Sequence, residues 1–145
     1  MPKLNFEEVF DRFAIRGWVG MWEGPSTEDW PEQTPPSDII QLDQSWNVWF
    51  WFKTTGDLCN IMCGKWKLQV LLEKMGGGET DVSPTKTIDC VCGPNTYIDH
   101  IHVEPNQVEE GVYRVIATVR LHGPEGRPGP VAAFVDLGLV QFYAD

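Results

Sequence analysis

The sequence predicts an all-β protein, folded as an antiparallel sandwich of two sheets. About seven short segments alternate between apolar and polar residues, which is the period of a strand with one buried face. Proline and glycine separate these segments, as in G-G-G at 76–78 and G-P-E-G-R-P-G-P at 123–130. A helical pattern is confined to the N-terminus, and many short strands with little helix are typical of sandwiches.

Residues 64–75 and 111–122 carry the clearest strand pattern. In both segments every second residue is apolar, and the residues between are mostly charged or polar. The inward side chains that this alternation predicts are Trp66, Leu68, Val70, Leu72, Tyr113, Val115, Ala117, Val119 and Leu121. Further strands are predicted within 39–52, 85–92, 97–103 and 131–143.

The chain before residue 39 has a different pattern. Asn5 and Glu8 have the spacing of a helix capping box, and the apolar residues around them recur at helical spacing. These apolar residues are Phe6, Val9, Phe10 and Phe13, followed by Gly17 as a helix end. The prolines of 24–37 exclude both a helix and a central strand. We therefore predict three parts: a helical, aromatic arm at 1–23, a proline-rich spacer at 24–38 with Trp30 as an anchor, and a sandwich domain at 39–145.

One motif resembles a corner of immunoglobulin-like and fibronectin type III-like domains. The stretch P-N-Q-V-E-E-G-V-Y-R-V-I-A-T-V at 105–119 is similar to the approach to their penultimate strand. In those domains a tyrosine after the corner hydrogen-bonds back to the preceding turn, and Tyr113 matches that place. Trp66 matches the tryptophan that such domains bury on their third strand. The resemblance covers about residues 39–143 and implies an immunoglobulin-like sandwich, without indicating a narrower family.

The charge of the chain limits the classes of partner. Its 11 basic and 21 acidic residues give a net charge of -10 at pH 7. Nucleic acids and anionic membranes attract basic proteins, so we expect neither as a partner. No run approaches the ~18 apolar residues of a membrane span. The N-terminus lacks a long apolar core before a cleavage site, so a cytoplasmic location is the default and an extracellular one stays open.

Residues that carry chemistry are few and irregularly spaced. The cysteines form one C-x3-C pair and one C-x-C pair: Cys59, Cys63, Cys90 and Cys92. These spacings fit free thiols first, a disulfide second and zinc third. His100 and His102 share one strand face, where we expect a solvated surface in preference to a metal site. No nucleophile, phosphate-binding or zinc-protease motif occurs, so we expect no enzyme activity, no bound metal and no cofactor.

The stretch W-N-V-W-F-W-F at 46–52 is apolar on both faces of its predicted strand. One face carries Trp46, Val48, Phe50 and Phe52, and the other carries Asn47, Trp49 and Trp51. Residues 131–143 also carry apolar side chains on both faces, interrupted by Asp136 and Gly138. A large apolar surface is unusual on a soluble monomer, so something should cover these outer faces.

Three covers are consistent with the sequence. The arm folds back within its own chain, or it crosses to another copy and builds a homo-oligomer or filament. Alternatively the tryptophans recognise a glycan or a peptide. We predict a non-enzymatic structural or assembly subunit that self-associates through the arm and the aromatic face, with a monomeric ligand-binding module as the alternative. The predicted binding residues are Phe6, Phe10, Phe13, Trp18, Trp22, Trp49 and Trp51.

Overall fold

The computed structural model describes residues 2–6, 13–31, 34–60, 64–79, 83–123 and 128–144. Its strands in chain order are β1 (Asn5–Phe6), β2 (Ala14–Glu23), β3 (Ile39–Gln41), β4 (Trp46–Thr55), β5 (Lys65–Lys74), β6 (Gly78–Glu79), β7 (Thr85–Asp89), β8 (Asn95–Val103), β9 (Gly111–His122) and β10 (Pro128–Tyr143). Within these ranges the helical structure is one 3₁₀ turn at Asp57–Asn60. No helix of the described residues has the length and apolar character needed to span a membrane.

The strands form two sheets that share one core, which confirms the predicted all-β sandwich. In the smaller sheet β4 lies between β2 and β8, and both neighbours run antiparallel to it. In the larger sheet the order is β1, β10, β9, β5 and β6, with β7 also paired to β5. β3 pairs in parallel with the C-terminal part of β10. Residues 2–4 run along the edge of β2 before β1 joins the larger sheet, so the N-terminal segment links the two sheets.

The core between the sheets is rich in aromatic side chains. Trp66 on β5 is fully buried, and its ring centroid lies 5.5 Å from that of Phe52 on β4. Tyr97 on β8 completes the cluster at 6.0 Å from Trp66. All the side chains predicted to point inward from 64–75 and 111–122 are buried, so the strands and inward faces predicted there are confirmed.

A hydrogen bond closes the corner before β9. The hydroxyl of Tyr113 donates to the carbonyl of Glu109 at 2.7 Å, and the Tyr113 side chain is fully buried. Its ring meets that of Phe142 edge-on at 5.5 Å. In the same corner Asn106 has a left-handed backbone with φ 62°, and its N–H donates to the Leu42 carbonyl at 2.9 Å. The hydrogen bond that the sequence motif implied for Tyr113 is confirmed.

The predicted N-terminal helix is wrong over the described residues. Phe6 belongs to β1, whose backbone pairs with β10, and Ala14–Glu23 forms β2, which pairs with β4 along its whole length. The core side chains of β2 recur at an even spacing: Ile15, Val19 and Met21. Strand pairing and burial in the core therefore outweigh the helical pattern at Phe6 and from Phe13 onward. Residues 7–12 of the predicted helix lie outside the described residues.

Within one chain the outer face of the last strand is partly exposed, and the expectation that something covers it stays a prediction. The register of β10 against β9 shifts between Asp136 and Gly138, where Gly138 takes a left-handed backbone with φ 87°. The N–H of Gly138 donates to the Asp136 carboxylate at 2.8 Å, and burial resumes at Val140. Phe134 lies on the outward side of the alternation before the bulge and is 46% exposed. Because the bulge changes the phase of the alternation, Leu139 also points outward and is 51% exposed.

Candidate functional site

The outer face of the smaller sheet carries five tryptophans of the chain: Trp18, Trp22, Trp30, Trp49 and Trp51. β4 turns its other series into the core, as the alternation predicts: Trp46, Val48, Phe50 and Phe52. Strand register aligns the outward residues in three rows: Trp18, Trp51 and Ile98; Gly20, Trp49 and His100; Trp22, Asn47 and His102. We call the first row the open end of this face and the other two rows the closed end.

The closed end is covered by the proline-rich segment of the same chain. The ring of Trp30 stands edge-on to Trp22 at 5.5 Å and to Trp49 at 6.4 Å, a favourable geometry for aromatic pairs. The indole N–H of Trp22 donates to the Thr34 carbonyl at 2.8 Å, which fixes the segment at a second point. Trp49 is left 3% exposed. The prediction that Trp30 anchors this segment is confirmed.

In the middle row Trp49 lies between Gly20 and His100, and the ring of Trp22 lies against Gly20. A Cβ atom at residue 20 would overlap the Trp22 ring, so only glycine lets that ring lie against β2. On the other side, the His100 ring stacks on Trp49 with centroids 4.3 Å apart and planes inclined by 22°. Burial, with a smaller effect of the Lys86 ammonium, lowers the pKa of His100, although the Asp99 carboxylate acts in the opposite direction. The neutral imidazole is therefore the form that stacks at pH 7.

Asn47 holds the proline-rich segment to the sheet. Its side chain is buried, and its Nδ2 donates to the carbonyls of Gly24 at 3.1 Å and Pro25 at 3.2 Å. Its Oδ1 accepts from the Ser26 hydroxyl at 3.1 Å and lies 2.7 Å from His102 Nδ1. Because Oδ1 can only accept, Nδ1 of His102 carries the proton in this arrangement. One buried amide thus joins the spacer to two strands of the smaller sheet.

The chain itself pairs with the β2 edge of the smaller sheet and contacts the β8 edge at one carbonyl. At the β2 edge the N–H of Leu4 donates to the Gly17 carbonyl at 3.0 Å. At the β8 edge the Lys86 ammonium donates to the His100 carbonyl at 3.2 Å and pairs with the Asp99 carboxylate at 2.5 Å. A bound peptide that extends a sheet needs a free strand edge. At Gly17–Val19 of β2 this edge is already taken by residues 2–4.

The open end keeps aromatic surface in contact with solvent. Trp18 and Trp51 are half-buried, with ring centroids 4.9 Å apart and planes tilted by 49°. Ile98, next to Trp51 on β8, is 51% exposed. The closed end has Trp30 as a cover, whereas no such ring lies over this pair among the described residues. The two tryptophans and Ile98 together form an apolar surface on a well-paired sheet.

Basic side chains border the open end. Arg16 lies directly opposite Lys53 on the neighbouring strand, and both side chains are exposed. Lys3 forms a backbone bridge with Trp18. In the described part of the chain, no carboxylate lies within ion-pair distance of these three basic groups. A cleft of about 420 Å³ adjoins them, lined by Lys3, Leu4, Ile15, Arg16, Gly17 and Trp18.

The two cysteine-bearing loops lie side by side at one end of the sandwich. The Gly93 N–H donates to the Cys59 carbonyl at 2.7 Å, and the Cys90 N–H donates to the Gly64 carbonyl at 3.0 Å. The Cys59 side chain is buried, and Cys63 lies outside the described residues. Within the ranges that the structure describes, no three His, Cys, Asp or Glu side chains are grouped to hold a metal ion.

The structure brings part of the predicted binding set together: Trp18, Trp22, Trp49 and Trp51. Phe13 is buried in the core, Phe6 contributes backbone pairing with no described side chain, and Phe10 lies outside the described residues. The sequence analysis missed Arg16 and Lys53 as part of this surface. The pairing of β2 with β4 makes them neighbours, and the only sequence signal was their even spacing from the tryptophans.

No protein-family model and no curated protein matches the chain. Among solved structures, the chain is similar to the CARDB domain of the PF1109 protein from Pyrococcus furiosus, which was solved in complex with di-metal ions. The two chains share 14% sequence identity, the match covers 95% of this chain and 100% of that one, and the TM-score is 0.46. Similarity at this level carries no conclusion about the ligands of this chain.

Proposed function

We propose that this protein is a non-catalytic binding module with an immunoglobulin-like sandwich, and that it holds a glycan against the open end of its smaller sheet. The Tyr113–Glu109 hydrogen bond and the buried Trp66 support the immunoglobulin-like class, since both features recur in those domains. The observation that carries the function is the half-buried, tilted pair of Trp18 and Trp51.

The contrast between the two ends of the face supports a ligand surface. The chain covers Trp22 and Trp49 with its own Trp30, and leaves Trp18 and Trp51 partly exposed in the next row. An exposed indole presents a flat apolar face and an N–H donor, which suits a partner that is partly apolar and partly polar. The C–H face of a pyranose ring and its hydroxyl groups have this combination.

The paired edge of β2 beside Trp18 favours a glycan over a peptide. An extended peptide gains most of its affinity from main-chain hydrogen bonds to a free strand edge. The edge of β2 nearest the tryptophan pair is already bonded to residues 2–4, and at the β8 edge the His100 carbonyl accepts from Lys86. A glycan needs no strand edge, because it binds through ring contact and hydroxyl groups.

A double variant, Trp18→Ala with Trp51→Ala, tests the proposal. Isothermal titration of the protein with a panel of neutral and acidic oligosaccharides, and with unstructured peptides, gives the affinities. We expect saccharide binding that falls roughly tenfold or more in the double variant. Phe134→Ala removes an exposed aromatic ring from the other sheet and is the matched control, which should bind as the wild type does. Absence of saccharide binding, or tighter binding of peptides through the same tryptophans, would overturn the proposal.

Self-association remains a second candidate, and the outer face of the larger sheet favours it. Leu71, Phe134 and Leu139 on that face are 39%, 46% and 51% exposed. Burial of such side chains between two copies is favourable, although each contributes little alone. Light scattering during size exclusion tests the idea, and we expect Phe134→Ser with Leu139→Ser to shift any oligomer to monomer. A wild-type chain that stays monomeric at high concentration refutes it.

A further inference from the structure

Three basic side chains surround the tryptophan pair of the open end. Arg16 and Lys53 face each other across β2 and β4, two residues along each strand from Trp18 and Trp51. Residues two apart on a strand point to the same face and are about 7 Å apart. Lys3 lies beside Trp18, across the edge of β2. A ligand in contact with the tryptophan pair is therefore within reach of basic groups on two sides.

The arrangement is unfavourable in the protein alone. Like charges directly opposite each other on paired strands are destabilising. The chain has 21 acidic and 11 basic residues, so carboxylates are abundant. Several other basic residues each form an ion pair with a carboxylate: Lys65, Lys74, Lys86 and Arg114. Among the described residues, no carboxylate forms an ion pair with Arg16 or Lys53. An anionic group of a ligand would relieve the repulsion between these two side chains.

The cleft beside Trp18 has the size for a sugar ring. Its volume of about 420 Å³ lies within the range of roughly 300–1,000 Å³ that is usual for ligand pockets. Lys3 and Arg16 both line it, with Trp18 between them. We propose that the open end binds an acidic glycan, whose carboxylate or sulfate groups pair with Arg16, Lys53 and Lys3 while its rings pack on Trp18 and Trp51. This inference rests on the proposed function and specifies the class of glycan.

An acidic glycan fits this surface better than a nucleic acid does. Nucleic acids carry one charge per nucleotide and depend on many Lys and Arg contacts for affinity. The net charge of -10 repels so dense a polyanion, and among the described residues three basic groups border the open end. An oligosaccharide with carboxylates on its sugar rings offers apolar ring faces together with localised charge.

The test compares a uronic acid hexasaccharide with a neutral hexasaccharide of the same linkage, both titrated into the wild-type protein. We expect the acidic ligand to bind at least ~tenfold more tightly at low salt, and the difference to shrink as salt screens the charges. Arg16→Gln with Lys53→Gln should weaken binding of the acidic ligand about tenfold more than it weakens binding of the neutral one. Lys67→Gln with Arg120→Gln removes a like-charged pair from the other sheet and should change neither affinity.

The outcomes separate this inference from the proposed function. Equal affinity for both hexasaccharides, lost in Trp18→Ala with Trp51→Ala, overturns the acidic-glycan inference and leaves the glycan-binding function standing. No binding of either hexasaccharide overturns both. A single-stranded oligonucleotide that binds more tightly than the uronic acid hexasaccharide, and depends on Arg16 and Lys53, overturns the inference in favour of nucleic acid.

Discussion

Replacing Asn47 with alanine tests how the proline-rich segment is held on the sheet. The substitution removes four hydrogen bonds, each with a net contribution of ~0.5–1.5 kcal/mol. The loss is smaller than their sum, because the Gly24 carbonyl also accepts from the Ser45 hydroxyl at 2.9 Å. Pro25 and Ser26 are exposed, so water can replace their lost partner. We therefore expect Asn47→Ala to lower the free energy of unfolding by about 2 kcal/mol, in the middle of the range for one to three net hydrogen bonds.

Chemical denaturation and limited proteolysis measure the two parts of this effect. The midpoint of unfolding gives the stability, and the rate of cleavage within 24–38 reports how firmly the segment is held. Gln44→Ala is the matched control, since Gln44 is exposed and precedes the same strand. An Asn47→Ala variant with wild-type stability and a wild-type cleavage rate would refute the role of this amide in fixing the segment.

Three further predictions concern the core and its ionisable groups. Trp66→Ala should lower the free energy of unfolding by ~3–5 kcal/mol in guanidinium titrations, because the ring is fully buried; a loss below ~1 kcal/mol would contradict the core assignment. Tyr113→Phe should cost ~1 kcal/mol. Burial raises the pKa of Tyr113, so the stability of the wild type should fall as pH rises above about 10, and the stability of Tyr113→Phe should fall less. An equal loss of stability with pH in both proteins would contradict the role of the Tyr113 hydroxyl. The pKa of His100 is lowered in the folded protein, so the unfolded chain binds the proton more readily and stability should fall as pH drops below about 6.5. His100→Gln should flatten this fall in the free energy of unfolding between pH 8 and 5. An unchanged dependence of stability on pH would exclude His100 as the cause.

Strands with one core face were predictable from the sequence. Trp66 on β5 and Tyr113 on β9 belong to series in which every second residue is apolar, and burial follows that series in both strands. Each side chain on a strand points to one of the two faces of the sheet, so the alternation of apolar and polar residues alone decides which side chains enter the core. The motif before β9 added the Tyr113 hydrogen bond, because that bond joins residues four apart and depends little on distant contacts.

The misassigned segments depend on contacts that a local pattern does not contain. The aromatic residues up to Phe13 have helical spacing, yet β2 gains ten paired residues along β4 and becomes a strand. In β10 the bulge at Gly138 shifts the alternation and leaves Leu139 exposed, although the sequence interrupts its pattern at that glycine. Arg16 and Lys53 likewise become neighbours only through strand register. The candidate binding tryptophans could be predicted from the composition and the strand alternation of the sequence. The basic side chains beside them could not.

The partial cover of the aromatic face is itself informative about function. Burying an aromatic side chain stabilises a protein by ~1.5–3 kcal/mol, so leaving Trp18 and Trp51 half-exposed forgoes part of a large contribution. The chain has a means to cover such rings, since Trp30 lies over Trp22 and Trp49 one row away. A purely structural requirement would be met equally well by smaller or polar residues at positions 18 and 51, which face outward. Among the described residues, no ring covers this pair and no carboxylate pairs with Arg16 or Lys53. The proposed glycan would complete the burial of the two tryptophans at the open end of the sheet.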